Sequence, residues 1–156
     1  MNNNAEISSS NIEKTKRFLK RYRKNRELVF RLKDKLLFYE DKLIGLKSPT
    51  LSDMPKGSTP TPKEDILTEK IETEERIKRL EEKGKVIRAE ILAIIDDLDN
   101  VRYAEILEAF CIDCKSFDEI AEDIGYSERR IIAIYSEAIK RVDVQLSISN
   151  ETLIGQ

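Results

Sequence analysis

Over most of the chain, apolar side chains recur at steps of three and four, the period of a helix with one face turned inward. One series runs Val29, Leu32, Leu36, Tyr39, Leu43 and Leu46. A second runs Ile77, Leu80, Gly84, Ile87, Ile91, Ile94 and Leu98, with Gly84 its one weak member. Ser10-Asn11-Ile12-Glu13 has the S-x-x-E spacing of a capping box, so the first helix is expected to start there and to end near Gly45 to Lys47. Residues 47–62 contain all four prolines and read as a linker. Thr61-Pro62-Lys63-Glu64 restarts the helix, with threonine at the cap and proline at the first helical position.

Two stripes of this kind bury each other or a partner's, which predicts an N-terminal long-helix hairpin or the strands of an intermolecular coiled coil. The pattern does not choose between them. A basic first helix over 1–46 and a second over 63–98 lead into a module over 99–143. There Asn100 to Cys111 carries Val101, Ile106, Leu107 and Phe110, SFDEIAEDIG opens with the box residues Ser116 and Glu119, and SERRIIAIYSEAIKRV opens on Ser127 as cap. Residues 144–156, VQLSISNETLIGQ, lack a helical period and read as a flexible tail. The fold class is all-α.

Between the last two helical segments lie only Gly125 and Tyr126. Two helices joined by a short turn with glycine at its corner form a helix-turn-helix, because the corner residue takes a positive φ. Ala121 is small enough to let the helices cross closely, and Ile131 falls where the second helix turns inward. Ile120, Ile124 and Ile134 complete the apolar set.

Composition narrows the function. With 37% charged and 6% aromatic residues in 156, five glycines and no histidine, the chain fits neither a β-sandwich nor a catalytic α/β fold. No phosphate loop, dinucleotide fingerprint or nucleophile elbow occurs, so it reads as a non-enzyme without cofactor. Cys111 and Cys114 form one C-x-x-C, which cannot complete a zinc site alone; they read as small apolar side chains near a helix end, reduced as in the cytoplasm. No apolar run reaches membrane length and the start MNNNAEISSS is polar, which again points to the cytoplasm and to no membrane partner.

The segment LDNVRYAEILEAFCIDCKSFDEIAEDIGYSERRIIAIYSEAIKRV, residues 98 to 142, resembles region four of bacterial sigma factors. It looks more closely like the sigma-region-four-like transcription regulators of phages and prophages of Gram-positive bacteria. LSDMPKG, residues 51 to 57, resembles the spacer in such regulators of the autolysin-regulator and late-gene activator type. The resemblance implies double-stranded DNA as partner and recruitment of RNA polymerase near a promoter. Two departures stand out. Ile132 and Ala133 occupy positions that are usually polar or basic in recognition helices, and nothing corresponds to the sigma domain that melts the minus-ten element.

Charge says where DNA would lie. Eleven acids between Asp96 and Glu128 face only Arg102 and Lys115, whereas Arg129, Arg130, Lys140 and Arg141 face Glu137 alone. The candidate DNA-binding set is therefore Ser127, Glu128, Arg129 and Ser136 near base edges, Ala133 against a thymine methyl, and Arg130, Lys140 and Lys115 on phosphates. Glu128 either accepts from a cytosine amino group or favours the helix dipole. KTKRFLKRYRKNR, residues 14 to 26, has eight bases and no acid. Its Lys16, Arg17, Lys20, Arg21, Arg23 and Lys24 are secondary phosphate candidates, unless the run pairs with acids such as Glu72, Glu74 and Glu75. A homo-oligomer, with a dimer favoured, would supply two half-sites. Two rival readings are a phage terminase small subunit and an adaptor whose sigma-like module docks on polymerase without touching DNA.

Overall fold

The computed structural model describes residues 3–46 and 62–155, and every regular element in them is a helix. These are α1 (Asn3–Leu19), α2 (Arg21–Leu46), α3 (Pro62–Asp96), α4 (Val101–Cys111), α5 (Phe117–Ile124) and α6 (Glu128–Ile154). Most of the expected linker, residues 47–61, and with it LSDMPKG, lies outside the described residues.

The chain divides into two compact units. One is Asn25–Gly84, made of most of α2 and the first part of α3. Val29, Leu32 and Ile77 form its buried centre, with Leu36 and Leu80 against them. The helices run antiparallel: Asn25 reaches the Leu80 carbonyl at 2.9 Å, Lys33 meets Glu81 at 2.7 Å, and Glu40 lies 3.9 Å from Lys70. At Gly84 the Asn25 side chain of α2 occupies the space a side chain would take, since an added Cβ would sit 2.4 Å from Asn25 Oδ1.

The other unit takes the chain up to Lys24 and from Lys85 onward. Its core joins Leu19, Ile91, Ile95, Ile106, Leu107, Ile120, Ile131, Ile139 and Val142, all at most 1% exposed. An aromatic cluster adjoins it: the Phe110 and Phe117 rings stack at 4.6 Å, and Tyr135 meets both edge-on at 5.0 and 5.1 Å.

Three boundaries differ from the sequence expectation. The first helix begins at Asn3, ahead of Ser10, because a cap acts only where the chain leaves helical dihedrals and nothing before Ser10 is a proline or glycine. The expected single N-terminal helix is interrupted at Lys20, although the bonds Lys20 N–H to Lys16 O and Lys24 N–H to Lys20 O, each 3.0 Å, carry the helical pattern across. Finally, residues 144–154 are not an irregular tail but the end of α6. Here α1 packs on α6: the buried Thr15 hydroxyl donates to Asp143 at 3.0 Å, and Leu146 joins the core. Ser147, Ser149 and Thr152 return their hydroxyls to carbonyls four residues back, which satisfies them within the helix.

Candidate nucleic-acid interface

Three local devices bound α5 and fix its junction with α6. At the start of α5 the Glu119 carboxylate accepts from the Ser116 N–H at 2.8 Å and from its hydroxyl at 3.0 Å. At the end Gly125 has φ 79°, and the N–H groups of Gly125 and Tyr126 both donate to the Ala121 carbonyl, at 2.9 and 3.1 Å. A Cβ on Gly125 would meet nothing within 4 Å, so dihedral angle, not space, selects glycine there. Ser127 returns to extended backbone and its Oγ accepts from the Arg130 N–H at 3.2 Å, capping α6.

Burial then orients α6. Ile131, Tyr135, Ala138, Ile139 and Val142 face inward. Arg129, Ala133, Ser136 and Lys140 follow one another at steps of four, three and four on the opposite side, and all four are exposed. Residues 45–143, well over half of the chain, match the model of a family described as a protein of unknown function, DUF1492. The chain belongs to that family. No curated protein and no solved structure matches it.

In this DUF1492 chain the residues proposed from sequence differ in their surroundings. Arg129 has no ion-pair partner among the described residues. The Arg130 guanidinium lies 4.3 Å from the centre of the Tyr126 ring, over which Arg102 also lies, at 5.2 Å. Ser136 donates to the Ile132 carbonyl at 3.0 Å, which leaves its oxygen to accept from outside. Lys140 pairs with Glu137 at 3.1 Å, and Glu128 stands exposed in the first turn of α6. Lys115 is engaged at 2.7 Å with Asp123, whose hydrogen bond and charge raise the lysine pKa. Ile132 is 41% exposed beside the strip.

The secondary candidates separate further. Arg21 bonds Glu90 at 2.6 Å and lies over Phe18, while Arg23 donates to the carbonyls of Phe110 and Lys115 at 3.1 and 2.9 Å. Both are engaged within the fold: Arg21 in an exposed pair with Glu90, and Arg23 in tying the end of α4 to the loop that leads into α5. Lys16 pairs with Glu13, whereas Arg17, Lys20 and Lys24 are exposed. Sequence reasoning missed Tyr126 and Arg102 as companions of Arg130, since nothing in their spacing announces a meeting of the first turn of α4 with the α5–α6 turn.

Cys111 and Cys114 are not joined in a disulfide. Burial pushes Cys111 up to about 12, and the half-exposed Cys114 sits at φ 59° in the loop. Among the described residues no group of three His, Cys, Asp or Glu side chains is arranged to hold a metal ion, and no helix is long and apolar enough to cross a membrane.

Proposed function

We propose that this chain is a DNA-binding transcription regulator of phage or prophage origin, with α5, the Gly125 turn and α6 as its helix-turn-helix. It works in a bacterial cytoplasm, as a binding protein and not an enzyme, near a promoter where it recruits RNA polymerase. The observation that carries this reading is the outward strip Arg129, Ala133, Ser136 and Lys140, which follows directly on a capped, glycine-turned corner. In a major groove the first turn of α6 comes nearest the bases. Arg129 then reads guanine, the Ser136 oxygen accepts from a base amino group, and Ala133 with Ile132 meets thymine methyl groups. Arg130 and Arg102, gathered on Tyr126, meet the backbone, and Lys140 meets a phosphate farther along. Lys115 contributes less, because Asp123 already holds its charge.

The exposed Ile132 favours a second reading, in which the same face docks on a protein. One experiment decides. The full-length chain is used to select fragments of its parent genome, and Arg129→Glu with Arg130→Glu is run beside it. Convergence on one upstream site, lost in the variant, supports DNA recognition. Unaltered retention by the variant, or no convergence, refutes it and leaves protein docking.

A further inference from the structure

In the Asn25–Gly84 unit, one lateral face of α3 carries Asp65, Glu69, Glu72, Arg76, Arg79 and Lys83. Steps of four, three, four, three and four keep them on a single line, roughly a quarter turn away from the Thr73, Ile77 and Gly84 seam that faces α2. All six are exposed. Among the described residues none has an ion-pair partner, whereas their neighbours do: Lys70 lies 3.7 Å from Glu74, and Lys33 pairs with Glu81. The order is three acids and then three bases. Laid against itself in reverse about residue 74, this line places Asp65 opposite Lys83, Glu69 opposite Arg79 and Glu72 opposite Arg76. The pattern is its own electrostatic complement.

The basic half borders a cleft of about 300 Å³, floored by Leu28, Leu32 and Leu80 and rimmed also by Arg31. We propose that this face binds a second copy of the chain, α3 antiparallel to α3, through six ion pairs across the two-fold axis, with apolar surface from the leucine-floored cleft beneath. A single exposed pair contributes little, but a network repeated by symmetry selects one partner and one direction. The inference stands whether or not α6 meets DNA, since it uses none of the α6 residues.

The test is sedimentation equilibrium of the full-length chain at low salt and at roughly 1 M salt, where charges are screened beyond about 3 Å. A dimer that weakens with salt is expected. Glu69→Arg and Arg79→Glu, each changing two pairs by symmetry, are each expected to raise the dimer dissociation constant by roughly tenfold or more. Mixing these two variants opposes acid to base at both positions again and restores dimers. So does the charge-exchanged double variant, which keeps the composition and guards against a folding artefact. A wild-type monomer at low salt, single variants that dimerise like wild type, or a mixture that stays monomeric would each overturn the proposal. Loss of nucleic-acid binding by Arg79→Glu with dimerisation unchanged would overturn it too, assigning the basic half to phosphates instead.

Discussion

Gly84→Ala probes the contact between α3 and the Asn25 side chain of α2. By helix propensity alone the substitution stabilises α3 by about 1 kcal/mol. Its Cβ, however, would sit 2.4 Å from Asn25 Oδ1 and 3.2 Å from Asn25 Cγ. The amide must then withdraw by roughly 1 Å to reach ordinary van der Waals separation. Asn25 is 6% exposed and its Nδ2 donates to the Leu80 carbonyl at 2.9 Å, so it has no free direction in which to withdraw. Losing that bond and leaving buried polar atoms unpaired costs about 1–3 kcal/mol. The net expectation is a loss of up to about 2 kcal/mol in urea unfolding followed by helical circular dichroism. In an Asn25→Ala background the obstructing amide is gone, and Gly84→Ala is expected to stabilise by up to about 1 kcal/mol. The two substitutions are therefore coupled by about 1–3 kcal/mol. Equal effects of Gly84→Ala in both backgrounds would refute the reasoning.

Other outcomes follow from the same geometry. Gly125→Ala destabilises by about 1–2 kcal/mol through its positive φ alone, and Gly125→Asn by less, readable as shifts in the thermal midpoint. Alkylation of the native protein below pH 9 modifies Cys114 and spares Cys111 until the chain unfolds. The Cys111 thiol is neutral in both states below its ordinary value of 9.0; above it the unfolded chain ionises while the folded one resists to about 12. Stability is therefore lost as pH rises through that window, by up to about 1.4 kcal/mol per pH unit from this group. Tyr135, also pushed upward by burial, adds in the same sense. On the proposed DNA-binding reading, with the basic run of α1 and α2 on phosphates, neutralising the exposed Arg17, Lys20 and Lys24 to glutamine is expected to flatten the salt dependence of binding by about one logarithmic unit per lost phosphate contact; an unchanged slope would remove these residues from the interface. Truncating residues 1–26 cannot serve that purpose, because Leu19 and Thr15 are buried.

The helical character of the chain, the Ser116–Glu119 box, the Ser127 cap and the left-handed Gly125 were legible in the sequence. Each depends on groups within four residues of one another, where spacing along the chain is spacing in space. Tertiary structure alone decided the rest. Residues 144–154 are helical although their sequence shows no apolar period; they continue a helix that is held just before them, where Thr15 bonds Asp143 from far along the chain, and at Leu146, which packs on the core. Arg21 and Arg23 sit in a basic run that promised phosphates, yet Glu90 and two backbone carbonyls claim them. Gly84 reads in the sequence as the weak member of an apolar series, whereas in the fold the Asn25 side chain fills the space it leaves. A cation's partner and a glycine's purpose depend on which distant group folding brings alongside, and a linear period records only a residue's near neighbours.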